Sequence, residues 1–256
     1  MNGTVLFSGV GVALLTFFSD DGALDASATA DHAARLVDAG MRSVLVAGTT
    51  GEAAALEADE RLTLLDAVRS AVPAATPVIA GTGAPSARQA AALTEAAVDH
   101  GADAVLALSP PQCGDPRPYY EMVAKVATGV PLLAYHFPTV SSPGITVEQL
   151  SELPVSGCKD SSGDPNRLLR TLDHFGGPLW VGSPSLTLLA QVAGAAGALL
   201  ALGNLDPERC IAAWQGDVSA QHALAETDSS TSVRFPAKLK ERVAQRFGTR
   251  PTARLG

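Results

Sequence analysis

Eight short apolar runs, separated by stretches of helical periodicity, constrain this chain more than any other feature. They fall at residues 12–15, 44–47, 78–80, 104–108, 132–134, 155–158, 179–181 and 198–202 and are rich in Val, Leu and Ile. Runs that are apolar at successive positions suit strands covered on both faces, as in a parallel sheet packed between helices. Helical patterns lie between them. Residues 28–39 stop at Gly40, 57–72 stop at Pro73, and 86–100 open on the capping residue Ser86, with Gln89 three residues on, and stop at Gly101. Residues 119–127, 146–153, 165–174 and 184–192 continue the series, and the last two open on a proline, which a first helical turn tolerates. Eight strand–helix units in 256 residues predict a (β/α)8 TIM barrel, a fold of roughly 250 residues. A doubly wound open sheet is the alternative.

On this reading residues 1–205 form the barrel. Residues 206–256 belong to the same domain and carry the last barrel helix, 207–226, and a shortened C-terminal helical extension, 233–247. The polar stretch 228–232 reads as a linker between them, and 248–256 as a frayed end. Apolar residues make up 46% of the chain, enough for a large core, yet no run approaches the roughly 18 uninterrupted apolar residues of a spanning helix. Residues 1–12 have neither a basic start nor a cleavage site, so no leader is expected. A net charge of −8 argues against nucleic acid as a partner. Cys113, Cys158 and Cys210 match no zinc spacing, and an odd count points to reduced thiols and a cytoplasmic setting.

A barrel of this kind gathers its chemistry where the strands end. Strand two runs into Gly48-Thr49-Thr50-Gly51-Glu52, strand three into Gly81-Thr82-Gly83 and strand four into Ser109-Pro110-Pro111. Strand five runs into Tyr135-His136-Phe137-Pro138-Thr139, strand six into Lys159-Asp160, strand seven into Gly182-Ser183 and strand eight into Gly203-Asn204. Of the chain's four lysines only Lys159 falls at a strand end. Lys125, Lys238 and Lys240 fall in helices and read as solvated. An amine attacks a ketone only when neutral, and a partly desolvated barrel mouth favours the neutral form. Lys159 is therefore the candidate nucleophile, the bland alternative being an ion pair with a nearby carboxylate. Tyr135, on the neighbouring strand, can pass protons to a substrate oxygen held there, or can simply be packed with one hydrogen bond. Gly48-Thr49-Thr50-Gly51 offers turns, hydroxyls and a following helix, the elements of a carboxylate cradle, although Gly and Thr crowd many ordinary turns. His136 has no partner at ligand spacing, so no metal is assigned. Gly81-Thr82-Gly83 reads as a tight turn.

Together these segments resemble the family of dihydrodipicolinate synthase and N-acetylneuraminate lyase, the pyruvate-dependent class I aldolases. Gly48-Thr49-Thr50-Gly51-Glu52, continued by Leu56 and Glu60-Arg61, is similar to its carboxylate-binding motif. Residues 77–83 are similar to its third-strand signature, Tyr135 and Pro138 to its Tyr-x-x-Pro element, and residues 157–164 to its Schiff-base lysine segment. The resemblance implies that Lys159 attacks the ketone of a 2-oxo acid, usually pyruvate, and that the resulting imine lets a carbon–carbon bond to an aldehyde form or break. It implies Thr49 and Thr50 on the carboxylate, Tyr135 as proton shuttle, and no cofactor. The reacting set is then Lys159, Tyr135 and Thr49. Thr50, Gly48, Thr139, Ser183, Gly182 and Gly203 are expected around the substrate, and a homodimer or homotetramer is expected.

Two departures bear on the substrate. The lysine-pathway synthase carries two aromatic residues after strand four, where this chain has Pro111 and Gln112. It also carries an arginine after Tyr-x-x-Pro, and the corresponding stretch, 139–144, has none. The segment 135–144 resembles more the 2-keto-3-deoxygluconate aldolases, with Thr139 suited to a polyhydroxy aldehyde. The alternatives are 4-hydroxy-tetrahydrodipicolinate synthesis from aspartate semialdehyde and an inactive barrel that senses a keto acid. Arg117, in the strand-four loop, could reach inward to supply the missing charge, whereas Arg167 is expected to face out of its helix.

Overall fold

The computed structural model describes residues 5–255; the first four residues of the segment read as carrying no leader lie outside them. Eight parallel strands close into one barrel in chain order, each paired with its sequence neighbour and the first with the last. The strands are β1 (Gly9–Ala13), β2 (Val44–Val46), β3 (Val78–Gly81), β4 (Ala104–Leu108), β5 (Leu132–His136), β6 (Gly157–Asp160), β7 (Leu179–Val181) and β8 (Gly197–Leu200). Seven helices separate them: α1 (Ala26–Asp38), α2 (Ala58–Ala71), α3 (Ala87–Asp99), α4 (Arg117–Ala124), α5 (Val147–Glu152), α6 (Pro165–His174) and α7 (Thr187–Val192). After β8 come α8 (Pro207–Trp214), α9 (Val218–Thr231) and α10 (Ala237–Phe247). The TIM barrel expected from the strand count is the observed fold.

Hydrophobicity alone misplaces some element ends. Residues 9–11 belong to β1 although two of the three are glycine, because a Cβ on Gly11 would meet Leu199, Phe7 and the Ser43 carbonyl at 2.9–3.1 Å. β6 begins at Gly157, not residue 155, for the same reason: a Cβ there would meet the Trp180 ring at 2.8 Å. The expected single helix 207–226 is broken at Gly216 (φ +101°) into α8 and α9. The polar stretch 228–232 is no linker, since α9 runs through Thr231 with its hydroxyls returned to backbone carbonyls one turn back.

The barrel interior and the layer outside it are separate apolar clusters. Phe7 plugs the bottom, stacked on Trp180 with ring centroids 5.4 Å apart, while Trp180 donates its indole N–H to the Phe7 carbonyl. Leu45, Ile79, Leu106, Leu133 and Leu199 fill the middle, and Tyr135 tops the stack. The chain is closed at the mouth by buried Asn204. Its amide donates to the Ala13 and Ala201 carbonyls at 2.7 and 2.8 Å, and its oxygen accepts from Leu15 N at 2.9 Å, tying the end of β8 to that of β1. No helix among the described residues is long and apolar enough to cross a membrane.

The largest departure from expectation is the C-terminus. Residues 248–255 are pinned rather than frayed, and Lys240 is buried rather than solvated. Lys240 pairs with Glu52, both side chains being inaccessible, and also donates to the Thr252 carbonyl at 2.8 Å. The other Glu52 oxygen accepts from the N–H groups of Arg254 and Leu255 at 2.8 and 2.6 Å. Arg254 grips both oxygens of Glu60 at 2.6 Å and lies over the Phe18 ring. The last residues thus run back across the mouth beside the Gly48–Glu52 loop.

Candidate active site

Register brings the two principal candidates together. Tyr135 on β5, Lys159 on β6 and Trp180 on β7 are lateral partners in the ladder, and all three are buried. The Lys159 Nζ lies 4.4 Å from the centroid of the Tyr135 ring, a cation–π distance. Among the described residues no carboxylate pairs with it, so the ion-pair alternative has no partner here. The adjacent Asp160 is turned away, accepting from Arg167 Nε at 2.6 Å and from Ser162 N at 2.8 Å. Arg167 therefore faces in, contrary to expectation, because α6 starts directly behind β6 and Asp160 captures its guanidinium.

Gly182 sits against the lysine. A Cβ there would lie 3.0 Å from Lys159 Cε and 1.9 Å from Ser161 Oγ, so no larger residue fits without moving both. His136 accepts a hydrogen bond on Nδ1 from Ile145 N at 3.0 Å. Burial first, and Arg167 second, pull its pKa down to about 4, so it is a neutral structural residue.

The Gly48–Gly51 loop is held from three sides. Thr16 donates to the Gly51 carbonyl at 2.8 Å, Ala53 N returns to the Gly48 carbonyl, and Glu52, in a left-handed conformation (φ +56°), is locked by Lys240. The N–H groups of Thr49, Thr50 and Gly51 donate to no backbone carbonyl of the described residues. Such free donors beside two hydroxyls form a concave surface of the kind that binds anions.

A cavity of about 500 Å3 opens at the mouth. Gly48 and Thr49 form one wall, Tyr135 and Leu106 another, and Pro110, Pro111 and Val140 a third. Tyr119, near the start of α4, is buried and does not line the cavity. Its hydroxyl donates to the Leu108 carbonyl at 3.0 Å and accepts from Ala84 N at 3.3 Å, stitching the ends of β4 and β3 together. Lys159 and Thr50 are buried and are not among the residues that line the cavity; Lys159 reaches it only through its contact with the Tyr135 ring.

Several expected residues lie elsewhere. Thr139 is exposed and does not line the cavity. Ser183 shares a hydrogen bond with Ser185 at 2.9 Å outside it, and Gly203 packs between Met41 and Val12 in the core. Arg117 pairs with Glu152 at the surface and does not reach inward. Arg61, read in the sequence only as a continuation of the Gly48–Glu52 motif, lines the cavity, as does Leu255, which the sequence reading did not place there. Leu255 could not have been found, since a nonlocal ion pair delivers it. Arg61 had a signal: a cation in the first turn of a helix, where the macrodipole favours anions.

The geometry is that of a Schiff-base lyase, a strand-borne lysine beside a tyrosine at the mouth of a barrel, and the comparisons agree. The model of the Dihydrodipicolinate synthetase family matches residues 6–242. An uncharacterised DapA-like lyase of Halobacterium salinarum is 36% identical over 241 residues, 91% of this chain and 79% of that protein. A 4-hydroxy-tetrahydrodipicolinate synthase of Pseudomonas aeruginosa is 34% identical over 237 residues, 86% and 80% of the two chains. Among solved structures, the dihydrodipicolinate synthase of Acinetobacter baumannii complexed with pyruvate superposes with a TM-score of 0.84 at 25% identity, over 98% of this chain and 94% of that one. The chain belongs to the Dihydrodipicolinate synthetase family and is a pyruvate-dependent Schiff-base lyase.

Proposed function

We propose that this protein forms or cleaves the carbon–carbon bond between pyruvate, held covalently on Lys159, and an aldehyde, with a 2-keto-3-deoxy sugar acid as the cleaved substrate. The carrying observation is Lys159 itself, a buried amine with no carboxylate partner among the described residues, against the Tyr135 ring. In the cleavage direction the neutral Lys159 amine adds to C2 of the 2-oxo acid. The carbinolamine loses water to give an imine, and Tyr135 passes the protons. The protonated imine then accepts the electron pair of the C3–C4 bond as the C4 hydroxyl gives up its proton and leaves as an aldehyde. Protonation of the enamine at C3 and addition of water to the imine return pyruvate and the free lysine. Thr49, Thr50 and the N–H groups beside Gly48 hold the carboxylate, and Gly182 keeps the space the lysine stem occupies.

Val140, at the cavity wall after Tyr-x-x-Pro, supports the sugar-acid reading, because it offers no charge where the lysine-pathway synthase carries an arginine. The position of Thr139 outside the cavity removes the hydroxyl expected to bind a polyol. A second reading, synthesis of 4-hydroxy-tetrahydrodipicolinate from aspartate semialdehyde, is favoured by Arg61, a cation in the cavity wall. Assembly as a homodimer or homotetramer and a cytoplasmic setting belong to both readings. Comparing kcat/KM for 2-keto-3-deoxygluconate cleavage with that for condensation of pyruvate and aspartate semialdehyde separates them. The sugar-acid reading expects cleavage to prevail, and a tenfold advantage for the semialdehyde overturns it.

A further inference from the structure

A second hollow, of about 320 Å3, opens between the turn after β8 and the helices α8, α9 and α10, and none of its lining residues lines the mouth cavity. Three arginines meet in it, Arg209 from α8 and Arg242 and Arg246 from α10, in a chain whose net charge is −8. Asp206 is the one carboxylate in its lining, and it is already engaged. It caps α8 by accepting from Arg209 N at 3.2 Å, and its two oxygens lie 2.9 Å from the Arg209 guanidinium and 3.6 Å from that of Arg246. Glu208 accepts from the other terminal nitrogen of Arg246 at 3.0 Å. Arg242 has no carboxylate partner among the described residues, and its Nη1 donates to Ser230 Oγ at 3.0 Å. Glu241, its neighbour in α10, is held by Arg234 and Lys238. The remaining N–H groups of Arg242, the Nε of Arg209 and the Gln245 amide have no hydrogen-bond partner among the described residues. Three positive charges thus face two negative ones, and donors from two helices point into one concave space. An anion with two charges and several acceptor oxygens matches that deficit, and the planar guanidinium fork suits phosphate geometry.

We propose that this groove binds a phosphate group, free or as a monoester, between α8 and α10. The assignment is independent of the lyase reading. Its place in the fold gives the ligand a consequence. Arg246 donates to the Leu205 carbonyl at 2.5 Å, next to Asn204, which closes β8 on β1. The same helix carries Lys240, the anchor of Glu52 and of the loop that ends on it. A phosphate that bridges Arg209 and Arg242 ties α10 to α8 and so holds α10 against the barrel.

The test is titration of the whole protein with inorganic phosphate and with glycerol 3-phosphate, at an ionic strength held constant with chloride. Binding is read by calorimetry and by the midpoint of thermal unfolding. Saturable binding with a Kd of about 1 mM or tighter is expected for at least one probe. The midpoint is expected to climb with the logarithm of ligand concentration above Kd, because only the folded chain brings α8 and α10 together. Arg242→Gln is expected to weaken binding by about 10-fold or more, the scale of a lost charge-assisted hydrogen bond, and Arg242→Lys by less. Arg209→Gln gives a second reading from the other helix. Arg117→Gln, which removes an exposed arginine paired with Glu152, is expected to bind as the unaltered protein does. The tighter of the two probes shows whether the groove takes free phosphate or the phosphoryl end of a larger molecule. No saturable binding of either probe overturns the assignment. So does equal affinity in the unaltered protein and in folded Arg242→Gln and Arg209→Gln, which places the anion elsewhere on the molecule.

Discussion

Lys159 was legible in the sequence because lysine is scarce and only one falls where a strand ends. What surrounds it was less so. Gly182 followed a predicted strand, but nothing in the sequence says that its missing side chain makes room for the lysine stem. The structure makes this testable. Gly182→Ala is expected to slow formation of the trappable pyruvate imine by about 100-fold, the scale of a misplacement near 1 Å. Gly176→Ala has nothing within 4 Å of the new methyl and serves as the control. Imine formation at the unaltered rate in Gly182→Ala would show that the close approach is not maintained in solution. The hydroxyls of Thr139 and Ser183 were misread for a related reason. Position after a strand puts a residue near the mouth, but whether it faces the cavity depends on the path of the loop.

At the scale of elements, local signals placed helices and strands well where caps and β-rich runs coincide, as at Ser86 and Pro165. They failed where a distant contact decides. Lys240 looks like a surface lysine by periodicity, yet α10 docks so that it meets Glu52, 188 residues away in sequence. That pair anchors both the C-terminal segment and the loop bearing Thr49 and Thr50. Removing one member leaves the other charge buried alone, so Lys240→Met is expected to lower stability by about 3–5 kcal/mol in urea unfolding. Lys238→Met breaks only an exposed pair with Glu241 and is expected to lower it by about 1 kcal/mol or less. Equal effects would contradict the anchoring role. Burial pulls the Lys240 pKa down while Glu52 holds it up, which fits a pair whose value lies in fixing position.

The whole molecule was the most readable level. Eight apolar runs in strict alternation with helices leave few closed solutions, and a parallel sheet covered on both faces needs no side-chain detail to be recognised. Side chains inside the barrel were not readable, because its narrow points are relieved by glycines such as Gly11 and Gly157 that resemble loop residues. Arg61, the one cation lining the cavity among the described residues, could be quoted as part of a motif but not placed there, since net charge says nothing about local sign. The account stands or falls on a covalent bond at one atom. Incubation with pyruvate and borohydride, followed by intact-mass and peptide mapping, is predicted to show a single reduced pyruvyl adduct on Lys159 and none on Lys125, Lys238 or Lys240. No adduct, or one spread over several lysines, would contradict it.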